Sequence, residues 1–323
     1  MDGTTTRAAG GWRRRAALVL AFAWGPLAAR PAPGLEVCPP AAGRALCGTV
    51  RRHLVAANET LPDIARANDL GFNEITAANP GVDPWTPPPG REVVVPRLFL
   101  APPGMARGDI VVDLAEMRLY ELEPAPGGVR LVTAPIGVGR DGFETREGVY
   151  TIRSKARDPT WFVPPSVRAE EPDLPARVPP GPDNPLGRYI LRFSRLSYGI
   201  HGTNRPWGVG RRVSHGCIRL YPEDIEALYP RVPVGTLVRV TYRPIRAGAA
   251  DGRCWLQVEE DYLGRVADPF DAALAALGAC EAALGPLDLD LAAVRRAVRE
   301  RRGYPVPVAG RREGGAGDEV PTW

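Results

Sequence analysis

The sequence predicts a mainly β protein: a β-sandwich-like body, preceded by a small βααβ module and followed by a helical extension. Three observations predict this class. Short β-branched or aromatic runs recur between Gly, Pro and Asp turns from residue 109 to 242, a spacing that indicates a sandwich or barrel. The 36 prolines and 36 glycines favour loops and short extended segments over long helices. Helical spacing is confined to 63–78 and to an Ala- and Leu-rich stretch at 268–301. With 44% hydrophobic and 24% charged side chains the chain can bury a core, which excludes a mainly disordered, collagen-like or multi-span membrane protein.

Residues 1–29 read as a secretory signal peptide. Arg13, Arg14 and Arg15 precede an apolar run over 16–24, and Leu27-Ala28-Ala29 supplies small residues at the cleavage position. The run is short for a bilayer span, and an uncleaved anchor is the alternative. Its removal takes four arginines and one aspartate from a chain of net charge +4, leaving +1. Such a balance speaks against nucleic acid or another polyanion as an electrostatic partner. Export also gives meaning to an odd count of five cysteines. The local pairings Cys38–Cys47 and Cys254–Cys280 are the expected disulfides, which leaves Cys217 as the free thiol.

Residues 50–97 read as strand, helix, helix, strand. An alternating stretch ends at Val55, and Asp63, Ile64, Ala65 and Asn68 keep helical spacing. A second short helix over 72–78 stops at Asn79-Pro80-Gly81, and Val93-Val94-Val95 closes the unit. His53-Leu54-Val55, Asn58-Glu59-Thr60-Leu61, Ile64-Ala65, Asn68, Asn79-Pro80, Pro89-Gly90 and Val95-Pro96 resemble a LysM module with a degenerate turn. The resemblance implies binding to N-acetylglucosamine polymers, hence peptidoglycan targeting; a spacer without glycan affinity is the competing reading.

The body, 108–242, contains strand-like runs at 110–112, 117–122, 129–132, 149–152, 189–193 and 236–242. Residues 158–188 interrupt them with a polar, proline-dense stretch that predicts a long surface loop able to act as a lid. The C-terminal extension, 243–302, carries two helical pieces broken at Gly285-Pro286, and 303–323 reads as a disordered tail.

Two of the three histidines share one window with the odd cysteine: His201-Gly202-Thr203, then Gly208, Gly210 and Ser214-His215-Gly216-Cys217-Ile218-Arg219-Leu220. Attack on an acyl carbon needs a thiolate, an imidazole to move its proton and backbone N–H donors for the oxyanion. This window supplies all three. By composition either histidine serves as the base. A helix opening at Pro222 would present its positive end towards Cys217. His201, His215 and Cys217 are also zinc-ligand types, so a zinc hydrolase is an alternative, although no Cys-x-x-Cys or His-x-x-x-His spacing accompanies them. Trp161, Tyr198 and Trp207 are candidates for a substrate groove, and Arg211 and Arg212 for carboxylate contacts, with a solvated turn as the competing reading.

The His201-Gly202-Thr203, Gly210 and Ser214-to-Leu220 set resembles the signature of the L,D-transpeptidase, or YkuD, catalytic domain. The likeness extends through Asp109-Ile110-Val111-Val112, Ile136-Gly137-Val138-Gly139, Pro159-Thr160-Trp161 and 181–187. It implies a peptidoglycan L,D-transpeptidase in which Cys217 attacks the third-position diamino acid carbonyl of a tetrapeptide stem and expels D-alanine. His201 would be the base, held by a backbone carbonyl such as that of Gly202. The Gly216 and Cys217 N–H groups would form the oxyanion hole, with Ser214, His215 and Arg219 shaping the pocket. The resemblance implies no cofactor and no metal. It implies a periplasmic setting, stem peptides and glycan as partners, and an amine acceptor from a second stem or an outer-membrane lipoprotein; water as acceptor would give carboxypeptidase activity. A non-catalytic peptidoglycan-binding protein is the remaining alternative.

Overall fold

A computed structural model describes residues 1, 36–37, 46–126, 128–194 and 198–312; the expected signal peptide, Cys38 and residues 313–323 lie outside them. Nine strands form one curled mixed sheet, in the spatial order Glu36–Val37, Gly128–Pro135, Arg118–Ala125, Ile110–Asp113, Leu237–Thr241, Gly148–Arg157, Tyr189–Phe193, Gly199–His201 and Ile218–Arg219. The mainly β class is therefore what the chain adopts, and each run expected from 110 to 242 lies on a strand. Alternation places Ile110, Val112, Leu119, Val132, Leu191, Phe193, Val238 and Val240 on one face, where they bury a core with Ile225 and Leu228 of the helix Pro222–Leu228.

The far edge of this sheet builds the site. Strand Gly199–His201 pairs antiparallel with Tyr189–Phe193 and parallel with Ile218–Arg219, setting Ile200 beside Ile218 and His201 beside Arg219. A parallel neighbour requires a crossover, and residues 202–217 provide it. Within the crossover, Arg212–Ser214 pairs with Val138–Gly139. Residues 158–188 form the expected irregular surface segment, with two short elements of their own: the helix Pro165–Glu170 and the ladder Trp161–Phe162 with Arg177–Val178.

The N-terminal module has the expected order. Strands Leu46–Leu54 and Glu92–Leu100 pair antiparallel around the helices Leu61–Ala67 and Phe72–Ala78, and so run somewhat beyond 50–97. Thr60 and Asp63 cap the first helix reciprocally, with bonds of 3.1 and 3.0 Å. Asn79 ties the second helix to the sheet by exchanging bonds of 2.7 Å with Val94.

This module grips the crossover. The Phe72 and Asn73 N–H groups at the start of the second helix donate to the Val209 and Gly210 carbonyls at 3.1 and 3.2 Å. Gly210 has φ +76°, and a Cβ there would sit 2.2 Å from the Phe72 nitrogen, so only glycine fits. Behind the contact, the fully buried Arg118 of the body donates to Glu74 at 2.8 and 3.0 Å and to the Asp69 carbonyl at 2.6 Å. Glu74 also accepts from the Gly71 N–H at 2.6 Å.

The C-terminal region departs from expectation. It is not simply helical: Ile245–Ala250, Arg253–Val258, Val306–Arg311 and Leu287–Leu289 form a four-stranded sheet against the helices Pro269–Leu284 and Leu291–Glu300. The strand Val306–Arg311 also corrects the expected tail for residues 303–312, because Val308 and Ala309 are buried in that core. Gly285 ends the first helix, as its position before Pro286 predicts. Cys254 and Cys280 form the expected disulfide, with Cα atoms 5.5 Å apart, and Cys217 is free. Cys47 is disulfide-bonded.

Candidate active site

A cavity of about 290 Å³ opens over the sheet edge, lined by His201, Cys217, Arg219, Ser214 and His215 below and by Thr160, Trp161 and Phe162 of the 158–188 segment. Strand phase explains the grouping. Tyr189, Leu191 and Phe193 face the core, so Ile190 and Arg192 face the cavity, and His201 and Arg219 stand beside them on the neighbouring strands.

His201 is buried, and its Nδ1 lies 2.6 Å from the Gly202 carbonyl oxygen. That oxygen only accepts, which assigns the proton to Nδ1 and leaves Nε2 as the basic nitrogen. Burial, helped by the Arg219 charge, pushes the His201 pKa down to about 3. The Cys217 thiol is pushed up, mainly by burial; the Gly199 N–H and the Arg219 and Arg192 charges oppose this. The resting pair is consequently a neutral thiol and a neutral imidazole, and burial outweighs any help from the short helix at Pro222.

The Cys217 loop is braced from three sides. Ser214 Oγ donates to the Cys217 carbonyl at 2.5 Å and accepts from the Gly216 N–H at 3.2 Å. Thr145 Oγ1 donates to the Gly216 carbonyl at 3.1 Å. Gly216 has φ +98°, and the Tyr198 ring lies where a Cβ would need room, at 3.3 Å. The Gly216 N–H expected in the oxyanion hole is thus engaged by Ser214 Oγ.

His215 is engaged at the cavity rim. Its Nε2 lies 3.2 Å from Glu170 Oε2 and 3.1 Å from Arg140, and its ring meets Phe143 edge-on at 4.6 Å. Glu170 belongs to the 158–188 segment, so this contact fastens that segment across the cavity rim. With His215 so engaged, no three His, Cys, Asp or Glu side chains among the described residues converge as a metal site.

The match to a protein-family model covers residues 107–240 and is to YkuD, the L,D-transpeptidase catalytic domain. The chain is 37% identical to the probable L,D-transpeptidase ErfK/SrfK of Escherichia coli (strain K12), over 83% of this chain and 87% of that protein. It is also 36% identical to the probable L,D-transpeptidase YbiS of the same strain, over 77% of this chain and 83% of that protein. The chain belongs to the L,D-transpeptidase family.

For an L,D-transpeptidase read from sequence, the structure collects Cys217, His201, Ser214, His215, Arg219, Trp161 and Tyr198 in or around one cavity, and Gly202 and Gly216 hold its loops. Trp207 does not line this cavity: it is exposed on a 3₁₀ turn, with the Arg66 guanidinium 5.9 Å from its ring centroid. Arg211 and Arg212 do not line this cavity. Arg211 stacks on Phe72 at 4.8 Å, while Arg212 pairs with Asp141 and stacks on Tyr262. Sequence reasoning missed Arg192, although its phase opposite Leu191 and Phe193 was a usable signal.

Proposed function

We propose that this chain is a periplasmic peptidoglycan L,D-transpeptidase with Cys217 as nucleophile and His201 as base. The reading is carried by one observation: the only free cysteine among the described residues shares a cavity with an imidazole whose Nδ1 is fixed on a backbone carbonyl. His201 Nε2 takes the thiol proton as the sulfur attacks the third-position carbonyl of a tetrapeptide stem. Negative charge moves to the carbonyl oxygen, beside the Cys217 N–H. Collapse of the tetrahedral intermediate breaks the amide bond, the proton passes from His201 to the leaving nitrogen, and D-alanine departs from a thioester on Cys217.

An acceptor amine, from a second stem or an outer-membrane lipoprotein, then attacks the thioester and gives its proton to His201, and the thiol is restored. Water in place of the amine gives carboxypeptidase activity. The LysM-like module at 46–100 serves to hold the glycan strand, and its grip on the Val209 and Gly210 carbonyls places it beside the catalytic loop.

Mass spectrometry of tetrapeptide muropeptides incubated with the protein tests the reading, with Cys217→Ala alongside. The expected products are free D-alanine and a cross-linked dimer with wild type and neither with the variant. Tripeptide without dimer points to hydrolysis or a protein acceptor, and an inert wild type supports a non-catalytic wall-binding protein.

A further inference from the structure

The cavity floor is cationic with nothing to answer it. Arg192 and Arg219 line it, no aspartate or glutamate lines it among the described residues, and neither arginine makes an ion pair there. The Arg219 Nε is buried without a hydrogen-bond partner. Elsewhere in this chain buried guanidinium groups meet carboxylates, as Arg118 meets Glu74 and Arg246 meets Glu116. Leaving a cation partly desolvated and unpaired is unfavourable unless an anion arrives with the substrate.

Register shows where that anion must sit. Arg192 pairs with Gly199, on the strand next to Ile218–Arg219, which Cys217 immediately precedes, and the Gly199 backbone acts directly on Cys217. Strands lie about 4.8 Å apart, so Arg192 stands two spacings, about 9.6 Å of backbone, from Ile218, within side-chain reach of the cavity space it shares with Cys217. Arg219 sits beside His201 instead.

This assignment rests on the transpeptidase reading and deepens it. In a stem ending in D-alanine, the terminal carboxylate is separated from the attacked carbon by only the amide nitrogen and one Cα. We propose that Arg192 binds this carboxylate on the leaving residue, and so selects stems in which the scissile bond is the last one. A longer stem places an uncharged amide over Arg192 and leaves the cation unpaired. Once D-alanine departs, the exposed guanidinium repels protonated amines and favours the neutral form that can attack the thioester.

The test compares a tetrapeptide ending in D-alanine with the same peptide ending in D-alaninamide, on wild type, Arg192→Gln and Arg192→Lys. The readouts are release of the terminal residue and acyl-enzyme formation. A charge-assisted bond implies that wild type prefers the acid by about tenfold to hundredfold in kcat/KM, chiefly through KM. Arg192→Gln is expected to lose this preference by turning over the acid more slowly and the amide much as wild type does; Arg192→Lys should keep part of it. Equal turnover of acid and amide by wild type overturns the assignment, as does an undiminished preference in Arg192→Gln. Turnover of neither peptide by wild type overturns the transpeptidase reading and the assignment with it.

Discussion

Two groups of interior arginines in this protein face opposite circumstances. At the junction of the three regions Arg118 and Arg246 each face a carboxylate. Arg118 binds Glu74 twice, and Glu116 accepts from Arg246 at 2.5 Å, Tyr120 at 2.6 Å and Gln257 at 2.9 Å. In the cavity Arg192 and Arg219 meet no carboxylate among the described residues. The junction pairs Arg118–Glu74 and Arg246–Glu116 tie the N-terminal module and the C-terminal sheet to the body. The cavity charges are reserved for something from outside. Paired charge therefore marks architecture here, and unpaired charge marks the place of work.

The sharpest break of this comparison comes at the thiol. Cys217→Ala is expected to remove acyl-enzyme formation altogether, and His201→Ala to slow it by about 10²- to 10⁴-fold, both read by intact-protein mass spectrometry with folding checked by circular dichroism. Because burial raises the Cys217 thiol, alkylation of that residue should accelerate as pH rises into the alkaline range, with no inflection from His201, which stays neutral above about 3.

Next in size is the contrast between the arginines themselves. Arg118→Met strands Glu74 in the interior and should cost about 3 to 5 kcal/mol in urea unfolding. Arg192→Met strands no partner and should cost less than about 1 kcal/mol. Equal losses would break the distinction between structural and functional charge. Cys254→Ser opens a disulfide with a sequence separation of 26, for an expected loss of about 3 kcal/mol confined to the C-terminal region.

The smallest effect is a pH dependence. Burial raises Asp113 to about 6 and Glu121 to about 7, and also raises Glu74. Between about pH 4 and these values the folded chain keeps protons that the unfolded chain has lost. Their contribution to stability is thus complete at low pH and is lost as pH rises through 6 to 7. Thermal melts should give a higher Tm at pH 5 than at pH 8; the reverse order would place these three carboxylates outside the interior.

Much of this was legible in the sequence wherever a local pattern matched its environment. Alternating Val and Ile gave the body strands, and the His201-to-Leu220 window held the imidazole and the thiol that share the cavity. The 253–258 and 306–311 strands were hidden for a physical reason. The 245–250 partner of 253–258 is Ala- and Gly-rich, Pro307 interrupts the last strand, and neither 253–258 nor 306–311 shows β-branched alternation. The junction was hidden because Glu74, Glu116 and Arg118 read as surface charges until tertiary pairing buries them. Trp207 sits between His201 and Cys217 in sequence, yet the crossover carries it outward to Arg66.

The strand Val306–Arg311, last among the described elements, lies in the middle of its sheet, between Arg253–Val258 and Leu287–Leu289. During synthesis the ends of the chain emerge in order, so this sheet lacks its central member until residue 311 is available. Gln257, which reaches from that sheet to Glu116 and to the Gly303 carbonyl at 3.4 Å, links the delay to the catalytic body. A chain in transit is then an unassembled enzyme, and a cut after residue 300 removes far more order than its length suggests.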